Sequence, residues 1–158
     1  MTVAFVALED PAHIALLAAQ MAQSDPWLTL GRTVEQCTAA LSDATRERYL
    51  VRVDGDPAGF LIINMAGSVT GYIQTIFVSP AHRGSGLGTR IVDYAEASIF
   101  ARQPNVFMCV SSFNAGARKL YARLGYSEVG VLSDLLVAGQ DEILLRKTKG
   151  PVFNYRPS

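Results

Sequence analysis

Residues 81 to 90 read AHRGSGLGTR, and the alternate glycines Gly84, Gly86 and Gly88 constrain this chain more than any other feature. The run before them, GYIQTIFVSP, has a strand pattern, and the run after them, IVDYAEASIFARQ, a helical one. Glycine loses more backbone entropy on folding than any other residue, so such a cluster needs a cause. Strand, glycine turn and helix together aim backbone amides and the helix's positive end at an anion. A Walker loop is excluded, because Gly88 is followed by Thr89 and Arg90 and not by Lys and Ser or Thr. A dinucleotide fingerprint is excluded by the G-x-G-x-G spacing and by the hairpins that precede it. A glycine-rich turn with no ligand stands as the alternative. The pattern left is Arg83-x-x-Gly86-x-Gly88, a nest suited to a pyrophosphate.

The rest of the chain says which fold holds that loop. VAFVAL (3 to 8) reads as a strand, and PAHIALLAAQMAQ (11 to 23) as a helix with Asp10 and Pro11 at its start and Ile14, Leu17 and Met21 on one face. Pro26 breaks the pattern, and a second helix spans 34 to 44. RYLVRVD and PAGFLIINM follow, joined by an Asp-Gly hairpin signal, and then GYIQTIFV (71 to 78). Beyond the loop and its helix come the strand VFMCVSSF (106 to 113), a helix capped by Asn114 and stopped by Gly125, and two strands around AGQD. This order predicts an α/β fold of mixed type: a mostly antiparallel sheet of about seven strands with about four helices on its faces. It does not fit a doubly wound parallel sheet. Residues 1 to 149 are read as one domain and GPVFNYRPS (150 to 158) as a tail that wraps the surface.

Composition removes several classes. The 14 basic and 14 acidic residues cancel, which argues against a nucleic-acid partner. Cys37 and Cys109 sit in apolar runs without metal spacing, so no metal is expected and both read as buried thiols in a reducing cytosol. No segment approaches the ~20 apolar residues needed to cross a bilayer. The N-terminus lacks a signal-peptide pattern, and the chain is expected to be soluble and cytoplasmic.

In NAGARKLYARLGY, Ala117, Leu120, Tyr121 and Leu124 form a helical stripe that turns Tyr121 inward. Taken alone, Tyr121 reads equally as a packed tyrosine with a satisfied hydroxyl, and Asn114 as an ordinary helix cap. Taken with the glycine loop, the chain resembles the GNAT superfamily of acetyl-CoA-dependent N-acetyltransferases. The family's Arg/Gln-x-x-Gly-x-Gly/Ala loop matches Arg83, Gly86 and Gly88. Its Asn-x-x-Ala-x-x-x-Tyr-x-x-x-Gly-Phe/Tyr helix matches Asn114, Ala117, Tyr121, Gly125 and Tyr126.

The resemblance implies a centrally splayed sheet and coenzyme A as ligand. Its pyrophosphate would rest on Arg83, Gly84, Ser85, Gly86, Leu87, Gly88 and Thr89. The pantetheine arm would run along Ile76, Phe77 and Val78 and reach Asn114, Ala117 and Tyr121. Tyr121 would protonate the leaving thiolate, and the Phe77 amide would polarise the thioester carbonyl. An acid found elsewhere in the family in an LEVR-like run is replaced here by Cys109 within MCVS, and Gln74 and Thr75 occupy the other common position. Gln74, Ser111 or Ser112 is then expected to hold a water that carries the proton, with Glu35 and Asp134 as distant candidates. Cys109 as a nucleophile lacks a nearby histidine.

In the resembled fold the link between the first two helices borders the acceptor cleft, which implies that Trp27, Leu28 and Leu30 wall it, with Arg32 meeting a carboxylate or phosphate; the alternative for Trp27 is a core cap. LSDLLVAG, Phe153 and Tyr155 read as another wall or as a homodimer contact. The expected acceptor is a small-molecule or peptide amine. The alternatives are a ribosomal-protein N-terminus and a non-catalytic acyl-CoA-binding domain.

Overall fold

A computed structural model describes all 158 residues. Its strands are β1 (Val3–Ala7), β2 (Glu47–Val53), β3 (Asp56–Asn64), β4 (Tyr72–Val78), β5 (Asn105–Ser111), β6 (Ser127–Leu132) and β7 (Glu142–Thr148). Its helices are α1 (Pro11–Ala22), α2 (Val34–Leu41), α3 (Leu87–Phe100) and α4 (Ala115–Arg123), and a short 3-10 turn spans Pro80–His82. The strands form one sheet in the order β1-β2-β3-β4-β5-β7-β6. β4 and β5 pair in parallel, through Tyr72↔Phe107 and Ile73↔Met108, whereas β1–β2, β2–β3, β5–β7 and β6–β7 are antiparallel. The mixed α/β class, the seven strands and the four helices are as the sequence predicts.

The packing divides into two compact units. One comprises Met1–Ile63 and Thr75–Ile91, the other Asn64–Gln74 and Val92–Ser158. In the first, the Asp10 side chain caps α1 by accepting from the Ala12 amide, and Pro11 takes the first helical position, where a missing N–H is harmless. Thr33 and Gln36 close a reciprocal capping box on α2. These helices bury Ile14, Leu17, Met21, Cys37 and Leu41 against Leu50, Phe60, Ile62 and Phe77. Asp54 and Gly55 both have positive φ and turn β2 into β3, as a tight hairpin requires. At Gly59 a Cβ would lie 2.1 Å from the Phe77 carbonyl oxygen, so only glycine lets β3 pass the end of β4.

In the second unit β5 and β7 pair antiparallel from Asn105↔Thr148 to Ser111↔Glu142. Directly opposed residues share a face, which sorts the two strands. Val106, Met108 and Val110 share one face with Ile143 and Leu145, all five buried. Asn105, Phe107, Cys109 and Ser111 share the other with Glu142, Leu144 and Arg146. Tyr155 in the tail donates its hydroxyl to the Phe100 carbonyl at 2.7 Å, while Phe153 is 87% exposed.

Candidate active site

The glycine loop begins where β4 ends. Gly84 and Gly86 have φ of +73° and +82°, a region in which a side chain costs about 1–2 kcal/mol. A Cβ on either would meet nothing within 4 Å, so backbone conformation, not crowding by the chain, calls for glycine there. Gly88 differs from the sequence expectation, because α3 already starts at Leu87 and Gly88 and Thr89 lie in its first turn. Leu87 is buried and anchors that turn, while Gly84, Ser85 and Gly86 are exposed.

The first amide to enter the α3 ladder is that of Arg90, bonded to the Gly86 carbonyl at 3.3 Å. The amides of residues 84 to 89 make no backbone hydrogen bond, and no acidic side chain occupies the first turn of α3 to satisfy its positive end. This arrangement fits a diphosphate. Arg83 is turned to the protein rather than to the loop amides. It donates from Nε to the Val78 carbonyl at 3.1 Å and from Nη2 to Ser24 Oγ at 2.9 Å. Ser24 Oγ in turn donates to the Gln20 carbonyl, and Ser79 Oγ donates to Gln20 Oε1 at 2.8 Å. The loop is therefore braced against the end of α1 by Gln20, Ser24 and Ser79, none of which the sequence marked.

The side chain of Phe77 is core, stacked on Phe60 at 5.3 Å and met edge-on by Trp27 at 5.8 Å. Its functional group would be the backbone amide alone; Ile76 and Val78 flank it, partly exposed. Trp27 packs on this core, as its structural alternative predicts, whereas Leu28 is 59% exposed. Leu30 is buried. Arg32 has a buried Nε without a hydrogen-bond partner. Its guanidinium lies against the Cys37 thiol, whose pKa is raised by burial and only partly brought back by that charge and hydrogen bond.

On α4, Asn114 caps the helix, its Oδ1 accepting from the Ala117 amide at 3.2 Å. The stripe of Ala117, Leu120, Tyr121 and Leu124 is partly buried. Tyr121 makes no hydrogen bond through its hydroxyl, and burial pushes its pKa up to about 12. The nearby Tyr126 is the satisfied tyrosine, donating to Glu96 Oε1 at 3.0 Å. Their rings meet edge to face at 6.1 Å. Tyr121 thus combines a protonated phenol with a spare donor, as a general acid needs.

The acetyltransferase (GNAT) family model matches residues 9–126, which include the loop, Asn114, Tyr121 and Tyr126. The chain belongs to the GNAT family. It is an acyltransferase. An N-acetyltransferase of Methanocaldococcus jannaschii, described as uncharacterized, is 30% identical over 111 residues, covering 66% of this chain and 70% of its own. N-alpha-acetyltransferase RimI of Mycobacterium tuberculosis is 28% identical over 154 residues, covering 94% and 93%. Among solved structures, an aminoglycoside 6'-N-acetyltransferase complexed with coenzyme A superposes with a TM-score of 0.76 at 18% identity, covering both chains fully. No helix is long and apolar enough to cross a membrane, and no group of three or more His, Cys, Asp or Glu residues is placed to hold a metal.

One carboxylate in this GNAT chain escaped the sequence reading. Glu142 opens β7 opposite Ser111, is only 4% exposed, and accepts from Ser111 Oγ at 2.8 Å. Ser111 is thus engaged by an acid rather than open to hold a water alone. Gln74, on β4, is partly buried. Cys109, two residues before Ser111 on the same face, shares a hydrogen bond with the Tyr72 hydroxyl, and burial raises its pKa. Cys109 is only half-buried, unlike Cys37 and unlike the sequence expectation for both, but a thiol of raised pKa is a poor nucleophile. The signal for Glu142 was an acid standing directly before the apolar run ILL in DEILLRKT, but its meaning needs the β5–β7 register.

Proposed function

We propose that this GNAT acetyltransferase transfers the acetyl group of acetyl-CoA directly to the primary amine of a small molecule or peptide. The observation that carries the proposal is the row of unused amides from Gly84 to Thr89 in front of an uncompensated helix end. When bound, acetyl-CoA supplies an activated thioester. The amides of residues 84 to 89 would hold its pyrophosphate, while Arg83 braces the loop. β4 runs on for Gln74 to Val78 past its last partner in β5, leaving main chain at Ile76, Phe77 and Val78 for an added strand. The Phe77 amide would stabilise the oxyanion, and the Tyr121 hydroxyl would give its proton to the departing sulfur. Asn114 would steady the arm beside Ala117.

A peptide N-terminus is kept as acceptor class because the mycobacterial RimI is matched along nearly its full length. Small amines are kept because the aminoglycoside enzyme shares the whole fold. The test is thermal unfolding with and without acetyl-CoA, then thiol release against primary amines and N-terminal peptides. Saturation at 100 times the dissociation constant is expected to add about 2.7 kcal/mol, with thiol release that depends on the amine. No stabilisation would remove acetyl-CoA as the ligand. Stabilisation without release on any acceptor would favour a non-catalytic acyl-CoA-binding domain.

A further inference from the structure

Acetyl transfer needs a neutral nitrogen, yet the residues assigned above include no group that takes its proton. Glu142 is nine-tenths buried, and its one hydrogen-bond partner is the neutral Ser111 hydroxyl. No Lys, Arg or His forms an ion pair with it. On its face stand Cys109 and Ser111 from β5, Tyr72 from β4 and Leu144 from β7 itself. The nearest cation along β7, Arg146, is already bound to Asn105 Oδ1 at 2.9 and 2.7 Å and lies over the Phe107 ring. A carboxylate buried without a counter-charge is costly unless a cation arrives from outside. A metal is disfavoured, since no third ligand stands near.

Glu142 is also tied to the start of α4. The Ser112 amide donates to the Asp141 carbonyl at 2.9 Å, and the Asn114 amide donates to the Ser111 carbonyl at 2.9 Å. The helix that carries Tyr121 therefore grows from the same few residues that fix Glu142.

We propose that Glu142 binds the ammonium group of the acceptor and takes its proton, which makes the acceptor a cationic primary amine. This rests on the acetyl-transfer reading above. The ammonium gives one proton to the Glu142 carboxylate, and the freed nitrogen lone pair forms a C–N bond at the thioester carbon. The C–S bond breaks, and sulfur takes the Tyr121 proton. The second nitrogen proton restores Tyr121, and the first leaves Glu142 for solvent. Burial raises the Glu142 pKa against the opposing Ser111 hydrogen bond, a direction that suits a base working near neutrality.

The test is Glu142→Gln, which keeps an acceptor for Ser111 and removes the charge. Wild-type kcat/KM for a simple primary amine is expected to stay level with pH between the pKa of Glu142 and the amine's own pKa, and to fall at pH below the former. The variant is expected to be slower by about 10²-fold at pH 7. Its rate should then climb tenfold per pH unit, because only amine already neutral in solution reacts. Without any ligand, the variant should be at least as stable as wild type at pH 8, with the difference gone at pH 4. A well-folded variant with the wild-type rate and profile overturns the proposal. So does a deficit equal at every pH, or a loss of stability at pH 8, either of which marks a structural glutamate. A wild type inert toward every amine sinks the acetyl-transfer reading itself, before the variant is compared.

Discussion

Tyr121 and Tyr126 lie five positions apart and do different work. Tyr126 spends its hydroxyl on Glu96, which also holds Lys147 at 2.9 Å, so it belongs to a half-buried polar clamp. Tyr121 has no such bond. Tyr126→Phe is therefore expected to lower unfolding free energy by about 1.5–3 kcal/mol, the worth of a hydrogen bond to a charged group, with turnover little changed. Tyr121→Phe is expected to lower kcat by about 10²-fold with stability and acetyl-CoA affinity near wild type. Because burial lifts the Tyr121 pKa to about 12 from an ordinary 10.0, the acid stays protonated across an assay range that ends at pH 10. Denaturant melts and kcat profiles on both variants check this; a fully active Tyr121→Phe removes Tyr121 as the acid. Helical spacing was enough to turn Tyr121 inward. Which tyrosine is satisfied was not legible, because the deciding partner, Glu96, lies on another helix.

The glycine turn and free helix start between β4 and α3 were legible because glycine at positive φ and an open helix start are local properties of sequence. Two features were not. The helix begins at Leu87, ahead of the apolar run that announced it, since burial of Leu87 outweighs the cost of helical Gly88. The brace of Gln20, Ser24, Ser79 and Arg83 joins positions 59 residues apart in sequence, beyond the reach of periodicity. Glu142 was hidden for the same reason, its partner being 31 residues away on β5. The brace itself is testable through a residue outside every motif. Ser24 is 5% exposed and passes the Arg83 hydrogen bond on to α1. Ser24→Ala frees the guanidinium and loosens the loop before it meets a ligand. A loss of about 1–2 kcal/mol in binding, roughly tenfold in the acetyl-CoA dissociation constant, is expected by calorimetry. An unchanged constant would mean that Val78 alone holds Arg83 in place.

Across the full chain, five acidic hydrogens on sulfur or phenol are held by burial: Cys37, Cys109, Tyr72, Tyr121 and Tyr126. Each pKa is raised, with desolvation as the first cause, because an apolar surrounding penalises the anion more than the neutral group. Tyr126 is raised further by the Glu96 carboxylate it faces, and Tyr72 by its hydrogen bond to Cys109 and by Glu142. Below the ordinary values of 9.0 for thiols and 10.0 for phenols, all five are protonated whether the chain is folded or unfolded. Above them the unfolded chain releases protons that the folded chain retains, so stability present below pH 9 is lost as pH rises toward the folded values. Each group that is ionised only in the unfolded chain steepens the loss by about 1.4 kcal/mol per pH unit. The thiols should start the decline near pH 9, and the phenols should sharpen it above pH 10. Asp43 acts in the opposite sense, its pKa being lowered by the Thr45 hydrogen bonds, so its small contribution disappears only as pH falls below the carboxylate range. Thermal midpoints from pH 8 to 11 under reducing conditions are therefore expected to hold level to about pH 8.5 and then fall with growing slope. Replacing Cys37 by Ala should remove part of the early decline while opening a small void. Midpoints that stay level to pH 11 would show these groups ionising freely in the folded chain, and the burial that lifts the Tyr121 pKa above its ordinary value would then be absent.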